Sequence, residues 1–196
     1  RGGDSCEMRQ TIRRASSSHA GSNYVASSST MAVVEGKRVG LITNPSGVDG
    51  VLVPTVDRLA RDPRLQLVRL FGPEHGIRGE IPAGEKVADA RDAQTGLPVI
   101  SLYGSTKRPT RESLRDIDVM LFDIQDVGSR AYTYVGTLSK AMEACAEHGI
   151  PLLVLDRPNP LGGVVLEGPV LEAPEWVSLV GIQPIPMRHG MTVGEL

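Results

Sequence analysis

The sequence predicts an α/β domain of the Rossmann-like kind, in which helices cover both faces of a parallel sheet. Three observations support this class. Five apolar runs of strand length recur after residue 36, helical periods separate them, and polar residues follow each run. Strands that are apolar throughout are buried on both faces, as in parallel sheets joined by right-handed helical crossovers.

The pattern also assigns the elements in order. The predicted strands cover residues 38–43, 65–71, 98–102, 119–123 and 151–155, with one more at Gln183 to Met187. The predicted helices cover residues 55–60, 110–115 and 138–148. In the third helix, apolar residues recur at i, i+3, i+4 and i+7 from Leu138 to Cys145, and Gly149 provides a C-terminal cap.

Two ends of the chain differ from this body. Residues 1–34 are rich in Ser, Gly and Arg with few apolar residues, which predicts a disordered leader ahead of a Rossmann-like domain over residues 35–196. Thr192 and Glu195 form a capping box that opens a helix only one turn before the last residue. We therefore expect a chain truncated before a smaller C-terminal domain.

Composition excludes several classes of protein. A formal net charge of -2 gives no basic face for nucleic acid, and no apolar run approaches the length of a membrane span. Cys6 and Cys145 make neither a metal-ligand spacing nor a disulfide framework. The glycine-rich phosphate loops of nucleotide-binding proteins and the G-x-S-x-G motif of serine hydrolases are absent from the sequence.

Candidate functional residues collect where the predicted strands end. Because the carboxyl ends of parallel strands meet at one edge of the sheet, these loops are expected to form one cleft. The candidates in chain order are Asn44, Glu74, His75, Arg78, Tyr103, Asp123, Gln125, Asp126, Arg130, Tyr132, Asp156, Arg157, Asn159, Arg188 and His189. Turn formation alone does not require Glu, His, Gln, Arg and Tyr in these places.

Structural roles remain open for several of them. Glu74 and His75 could cap their loop, and Asp123 and Asp126 could pair with Arg130 or Arg157 instead of binding a metal. We predict no metal and no cofactor. Carboxylates, arginines and tyrosines in a cleft suit acid/base chemistry on a polar substrate such as a sugar.

Eight sequence blocks point to one family. They are LITNPSGVD, LFGPEHGIRG, TGLPVISLYG, RPTRESL, DIQDVGSRAYTY, LDRPNPLGG, LEGPVL and PIPMRHGMTVGEL, spread from residue 41 to 196. In this order they closely resemble the exo-β-N-acetylmuramidase family of glycoside hydrolases. The resemblance implies a bacterial enzyme that releases N-acetylmuramic acid from the non-reducing end of peptidoglycan fragments during cell-wall turnover or recycling.

The resemblance also implies roles for residues. The family's glutamate in the PEHG block maps onto Glu74, the expected general acid, with His75 beside it. Asp123, Asp126 and Glu167 are all candidates for the second catalytic role, and the sequence does not choose among them. We group Asp126 with Glu74 and His75 as catalytic, and Asp123 with the substrate-binding residues. Acetamido participation by the substrate is the alternative. The remaining candidates, with Glu167, are assigned to substrate binding.

The lactyl carboxylate of muramic acid calls for a cation, for which Arg78 and Arg130 are favoured over Arg157 and Arg188. Tyr132 and Tyr134 are candidates for sugar contact. The expected partners are muramyl-glucosamine saccharides, the expected location is extracytoplasmic, and the oligomeric state stays open. The rival interpretation is a protein that binds sugars or peptidoglycan fragments without cleaving them.

Overall fold

A mostly parallel sheet organises the protein. The computed structural model describes residues 13–14, 28–82, 84–85 and 88–196. The described strands are β1 (Arg13–Arg14), β2 (Arg38–Thr43), β3 (Gln66–Gly72), β4 (Ala90–Arg91), β5 (Pro98–Ser101), β6 (Val119–Asp123) and β7 (Leu152–Val154). The described helices are α1 (Ser28–Val34), α2 (Thr55–Arg61) and α3 (Tyr134–Glu147), with a 3₁₀ turn at Pro174–Trp176.

The strand order confirms the predicted α/β class. Within the described residues the order is β1-β7-β6-β2-β3-β5-β4, and all neighbours are parallel except β4 and β5. The sheet thus has β2 and β6 near its centre and two-residue strands at both edges. The five strands predicted from apolar runs up to residue 155 are β2, β3, β5, β6 and β7, within one or two residues at each end.

Alternate side chains of the central strands form two cores. In β6, Val119 and Leu121 pack on the face that α1 and α2 cover, whereas Met120 and Phe122 pack on the face that α3 covers. All five residues of β6 are buried, as expected for a strand between two layers of helices. The parallel pairing of β2, β3, β5, β6 and β7 places their carboxyl ends at one edge of the sheet.

The prediction of a disordered leader through residue 34 is wrong for residues 28–34. These residues form α1, and Met31 and Val34 are buried against the sheet. Two apolar side chains spaced three residues apart give the helix a face to bury, which the surrounding serines obscure in the sequence. The rest of the predicted leader, apart from β1, lies outside the described residues.

Two further element predictions are wrong. Residues 110–115 form no helix: residues 111–116 are hydrogen-bonded turns, which end at Asp116 with φ 66°. Residues 183–187 form no strand, since Pro184 and Pro186 lack the amide donors that a ladder needs.

Two other predictions at the helix ends have different outcomes. The capping box is confirmed, because the Thr192 amide donates to Glu195 Oε2 at 2.9 Å and the Glu195 amide donates to Thr192 Oγ1 at 3.3 Å. The helix predicted at 138–148 begins four residues earlier, at Tyr134. None of the helices in the described part of the chain has the length and apolar character needed to cross a bilayer.

Candidate functional site

The loops after β2, β6 and β7 meet at the carboxyl edge of the sheet, as the sequence predicts. Thr43 Oγ1, at the end of β2, donates to the Asp123 carbonyl at 2.9 Å. The Gln125 amide donates to Ser46 Oγ at 2.9 Å, and its side-chain Nε2 donates to the Pro158 carbonyl at 2.9 Å. Gln125 is thus a connector of three loops.

Glu74 lies at the centre of a second set of contacts at this edge. The half-buried carboxylate accepts a hydrogen bond from Thr133 Oγ1 at 3.1 Å and one from the Gly84 amide at 3.0 Å. Burial raises the pKa of Tyr103, and the Glu74 carboxylate, which accepts a hydrogen bond from this phenol, raises it further. Donors from three loops therefore hold Glu74 in one orientation.

Tyr134 connects the Glu74 group to the neighbouring loops. Burial is the main cause that raises the pKa of Tyr134, and the Glu74 and Asp126 carboxylates add to it. A hydrogen bond with the buried Asn44 acts in the opposite direction. The loops after β2, β3, β5 and β6 therefore converge. Tyr132 lies half-exposed on the rim, with its ring centroid 6.4 Å from that of Tyr134.

His75 supports the Glu74 loop from the backbone. Its φ of 70° is in the left-handed region, which a residue with a Cβ adopts rarely, and Gly76 follows at φ 74°. The imidazole Nδ1 lies 3.0 Å from the Ile81 carbonyl, so Nδ1 is the donor in this bond. The ring is bonded within its own loop, and the two consecutive left-handed residues form the tight turn that follows Glu74.

Thr133 is a site residue that the sequence prediction missed. It precedes α3 and occupies the N-cap position, yet its side chain makes no capping bond to the helix. Its hydroxyl bonds to Glu74 instead. The contact joins residues 59 positions apart, and no local pattern in the sequence reports it.

Three of the four candidate arginines are engaged by carboxylates. Arg78 binds both Asp57 and Asp92 at 2.8–2.9 Å, and its side chain is only 15% exposed. These bonds raise the pKa of Arg78 further above its usual range. The assignment of Arg78 to the lactyl carboxylate is therefore not supported, because its guanidinium joins α2 to the loops after β3 and β4.

Arg157 and Arg188 are engaged in the same way. Arg157 Nε donates to the buried Asp123 at 2.7 Å, and that carboxylate also accepts a bond from Thr55 Oγ1. Arg188 Nη1 donates to Glu167 at 2.7 Å, on the surface. The Asp123–Arg157 pair is the structural interpretation that the sequence left open, whereas the Arg188–Glu167 pair was not among the sequence predictions. The two pairs account for these four side chains without a ligand.

Arg130 differs from the other three. Its Nη1 donates to the Ile185 carbonyl at 2.6 Å, and within the part of the chain that the structure describes no carboxylate forms an ion pair with it. The side chain is half-buried, three residues before Thr133. Among the described residues, Arg130 is thus the candidate arginine that no carboxylate pairs with.

Four further candidates, Asp156, Asn159, Asp126 and His189, are buried or form hydrogen bonds with residues 189–194. Asp156 accepts bonds from Thr192 Oγ1 and the Gly194 amide, and Asn159 Nδ2 donates to the Met191 carbonyl. Asp126 and His189 are buried against each other, with His189 Nε2 3.2 Å from Asp126 Oδ2. Direct substrate contact by these four side chains is not supported, since each is buried or bonded to the segment 189–194.

No group of three or more potential metal ligands occurs among residues 28–82, 84–85 and 88–196. Asp123 and Asp126 bond to different partners, Arg157 and the Gly128 amide respectively. The site therefore presents a carboxylate, phenols, an amide, a hydroxyl and one cation.

Fold and site together define an α/β domain whose polar chemistry lies at the carboxyl edge of a parallel sheet, the usual ligand-binding edge of such sheets. Residues 39–196 match the family model described as "Exo-beta-N-acetylmuramidase NamZ, N-terminal", and the chain belongs to this family.

Individual relatives agree with this assignment. The chain is 58% identical over 163 residues to the peptidoglycan beta-N-acetylmuramidase NamZ of Bacillus subtilis (strain 168), covering 83% of this chain and 39% of that protein. It also resembles two crystal structures of DUF1343 family proteins from Bacteroides fragilis NCTC 9343. The first has 52% identity and a TM-score of 0.76, covering 83% of this chain and 40% of the other. The second has 37% identity and a TM-score of 0.74, covering 88% and 44%. The chain thus spans about two fifths of the length of the curated relative it matches.

The Arg78 bridge predicts a specific acid sensitivity. Hydrogen bonds from Arg78 lower the pKa of Asp92 to about 2, below the ordinary value of 3.8. Because the folded-state pKa is depressed, this carboxylate stabilises the fold fully above about pH 4 and loses that contribution as the pH falls toward 2. The contribution is about 2 kcal/mol at most. Asp92→Asn should lower the free energy of unfolding near pH 6 and flatten its decline between pH 4 and 2.5.

The measurement is denaturant unfolding over this pH range. Asp116→Asn is the matched control, because its carboxylate pairs with Arg38 but is 63% exposed, and exposed pairs contribute little to stability. Identical pH profiles for the wild type and Asp92→Asn would contradict the assigned role of the bridge.

Proposed function

We propose that this chain belongs to an exo-β-N-acetylmuramidase that acts on peptidoglycan fragments. In this proposal the chain contributes the general acid and the cation that binds the lactyl carboxylate of the substrate. The observation that carries the proposal is the convergence of four strand-end loops on Glu74, whose carboxylate is held by Thr133, Gly84 and Tyr103. The Bacillus subtilis relative, named as a peptidoglycan beta-N-acetylmuramidase, supports the same reaction class.

Glu74 has the fixed orientation that a catalytic carboxyl group needs. Glycoside hydrolysis requires an acid that protonates the leaving oxygen of the scissile bond. Glu74 is half-buried, so it can meet a sugar from the open side of the cluster while its bonds to Thr133 and Gly84 fix its direction. Such fixed placement is what general acid catalysis requires.

The other carboxylates considered for the second role are engaged elsewhere. Asp123 bonds to Arg157 and Thr55, Glu167 pairs with Arg188 at the surface, and Asp126 is buried beside His189. This distribution supports participation by the acetamido group of the substrate, which removes the need for a second carboxylate as nucleophile.

Arg130 is the residue we propose for recognition of the lactyl carboxylate. A guanidinium binds a carboxylate through two parallel hydrogen bonds, and Arg130 is not paired with an acidic side chain in the described residues. Its Nη1 bond to the Ile185 carbonyl uses one donor and leaves others on the same fork. Tyr132, half-exposed in the same loop, adds an aromatic face for the sugar ring.

Replacing the proposed acid tests the reaction directly. In Glu74→Gln we expect hydrolysis of a muramyl-glucosamine disaccharide to fall at least about 100-fold, the usual contribution of general acid catalysis. Loss on a nitrophenyl muramide should be smaller, because nitrophenolate leaves with less need for a proton. The released sugar is quantified for the chain itself and for a fusion in which the Bacillus subtilis relative supplies the part of its length that this chain does not match.

The matched control is Glu143→Gln, a glutamate paired with Lys140 on the exposed face of α3. Its turnover should equal that of the wild type. Equal losses on both substrates in Glu74→Gln would remove Glu74 from the acid role. Sugar binding without any release by the wild-type fusion would instead support a binding protein that does not cleave.

Replacing Arg130 tests substrate recognition. In Arg130→Gln the preference for muramyl over glucosaminyl substrates should fall at least about tenfold, since a hydrogen bond to a charged group contributes about 1.5–3 kcal/mol. The preference of Arg130→Lys should lie between that of the wild type and that of Arg130→Gln, because lysine keeps the charge but not the planar fork. The measurement compares kcat/KM for a nitrophenyl muramide with kcat/KM for the corresponding nitrophenyl glucosaminide.

The control for this change is Arg61→Gln, at the last residue of α2 and exposed. It should leave the preference unchanged. If Arg130→Gln keeps the wild-type preference, the lactyl carboxylate is recognised by another residue.

A further inference from the structure

Asp126 and His189 form a buried contact directly beneath the loop that carries Arg130. Their side chains are 5% and 0% exposed, and His189 Nε2 lies 3.2 Å from Asp126 Oδ2. The same Oδ2 accepts a hydrogen bond from the Gly128 amide at 2.7 Å. One carboxylate oxygen therefore contacts both its own loop and the segment around residue 189.

That segment is bonded to the Arg130 loop along several residues. The Arg130 amide donates to the Met187 carbonyl at 2.8 Å, and Arg130 Nη1 donates to the Ile185 carbonyl at 2.6 Å. Ser129 and Arg188 also pair as an antiparallel bridge. The position of the Arg130 guanidinium thus depends on where residues 185–189 lie.

The hydrogen bonds of His189 show which ring nitrogen carries the proton. The Met191 amide donates to Nδ1 at 3.3 Å, so Nδ1 carries the lone pair and Nε2 carries the hydrogen. This N–H faces Asp126 at short distance but is not aligned as a hydrogen bond, and Asp126 Oδ1 has no partner among the described residues. The contact is therefore an electrostatic attraction between a buried carboxylate and a buried imidazole N–H.

We propose that Asp126 and His189 are positioning residues that set Arg130 for the acidic substituent of the sugar. This inference rests on the proposed function, because it takes the lactyl carboxylate as the ligand of Arg130. The pair joins residues 126–130 to residues 185–191 below the surface, and neither side chain reaches the substrate. Loss of the attraction lets residue 189 shift together with the backbone to which Arg130 is bonded, and this shift moves the guanidinium out of register with the lactyl carboxylate.

The test compares disruptive with conservative variants in the fusion protein described above. Asp126→Ala removes the carboxylate and His189→Leu removes the imidazole N–H. Asp126→Asn keeps an oxygen at the contact, and His189→Gln keeps an N–H there. The disruptive variants should raise KM for the nitrophenyl muramide at least about tenfold, with KM for the glucosaminide and both kcat values changed less than about threefold. The conservative variants should stay within about threefold of the wild type for both substrates.

A double-mutant cycle adds a measurement that a merely structural role does not predict. In the Arg130→Gln background, His189→Leu should cause no further loss of preference, because the two residues act through one contact. Asp126→Glu keeps the charge and displaces it by one methylene group, so it should lose preference even if Asp126→Ala and His189→Leu fail to fold. Thermal melting of each variant reports whether it is folded.

Several outcomes would overturn the inference. A folded Asp126→Asn with kcat reduced as strongly as in Glu74→Gln would make Asp126 part of the chemistry. Additive losses in the cycle, equal losses on both sugars, or unchanged preference in folded Asp126→Glu and His189→Leu would reduce the pair to a structural role. If Arg130→Gln itself leaves the preference unchanged, the proposed recognition by Arg130 fails and the inference fails with it. If only the Asp126 and His189 variants have no effect, the proposed function stands.

Discussion

Burial of the central strands on both faces is the constraint on which the rest of the structure depends. β6 is buried along its whole length, and its alternate residues join the two cores beneath α1 and α2 on one side and α3 on the other. A strand covered on both faces is connected to its parallel neighbours by crossovers, so the carboxyl ends of the parallel strands point the same way. The loops that carry Asn44, Glu74, Tyr103 and Asp126 are therefore brought to one edge by packing.

Charge pairing then divides this edge into a supporting part and an open part. The ion pairs of Arg78, Arg157 and Arg188 satisfy carboxylates that would otherwise be costly to bury or free to compete for a ligand. They join loops to each other and to α2. What stays open is the Glu74 carboxylate among phenols and a hydroxyl, with the Arg130 cation in the loop that leads to Thr133. The ion pairs that hold the loops and the proposed catalytic and binding groups thus lie at the same strand ends but involve different side chains.

Much of the fold follows from the sequence because aliphatic runs of strand length have few alternatives to a buried sheet. The strand bounds of β2 and β6 match the prediction at both ends. The α1 helix was missed because only Met31 and Val34 mark its buried face within a serine-rich stretch. The register shift in β3, where Val39 and Gly40 pair with Leu67 and Arg69, has no signal in the apolar pattern. Such features depend on contacts with distant residues.

The convergence of candidate residues at one edge of the sheet was predictable from the sequence, whereas their individual contacts were less so. Strand ends identify the edge, and the resemblance of the PEHG block selects Glu74. Which arginine stays unpaired depends on partners such as Asp57 and Asp92, 21 and 14 residues away from Arg78, and no local pattern reports them. Thr133 was missed for the same reason. A crystal structure of the protein with N-acetylmuramic acid tests the central claim most directly. The sugar should lie against Glu74 and Tyr103 with its lactyl carboxylate on Arg130, and a sugar bound away from Glu74, for example in the cavity of about 290 Å³ beside Ile77 and Arg91, would contradict it.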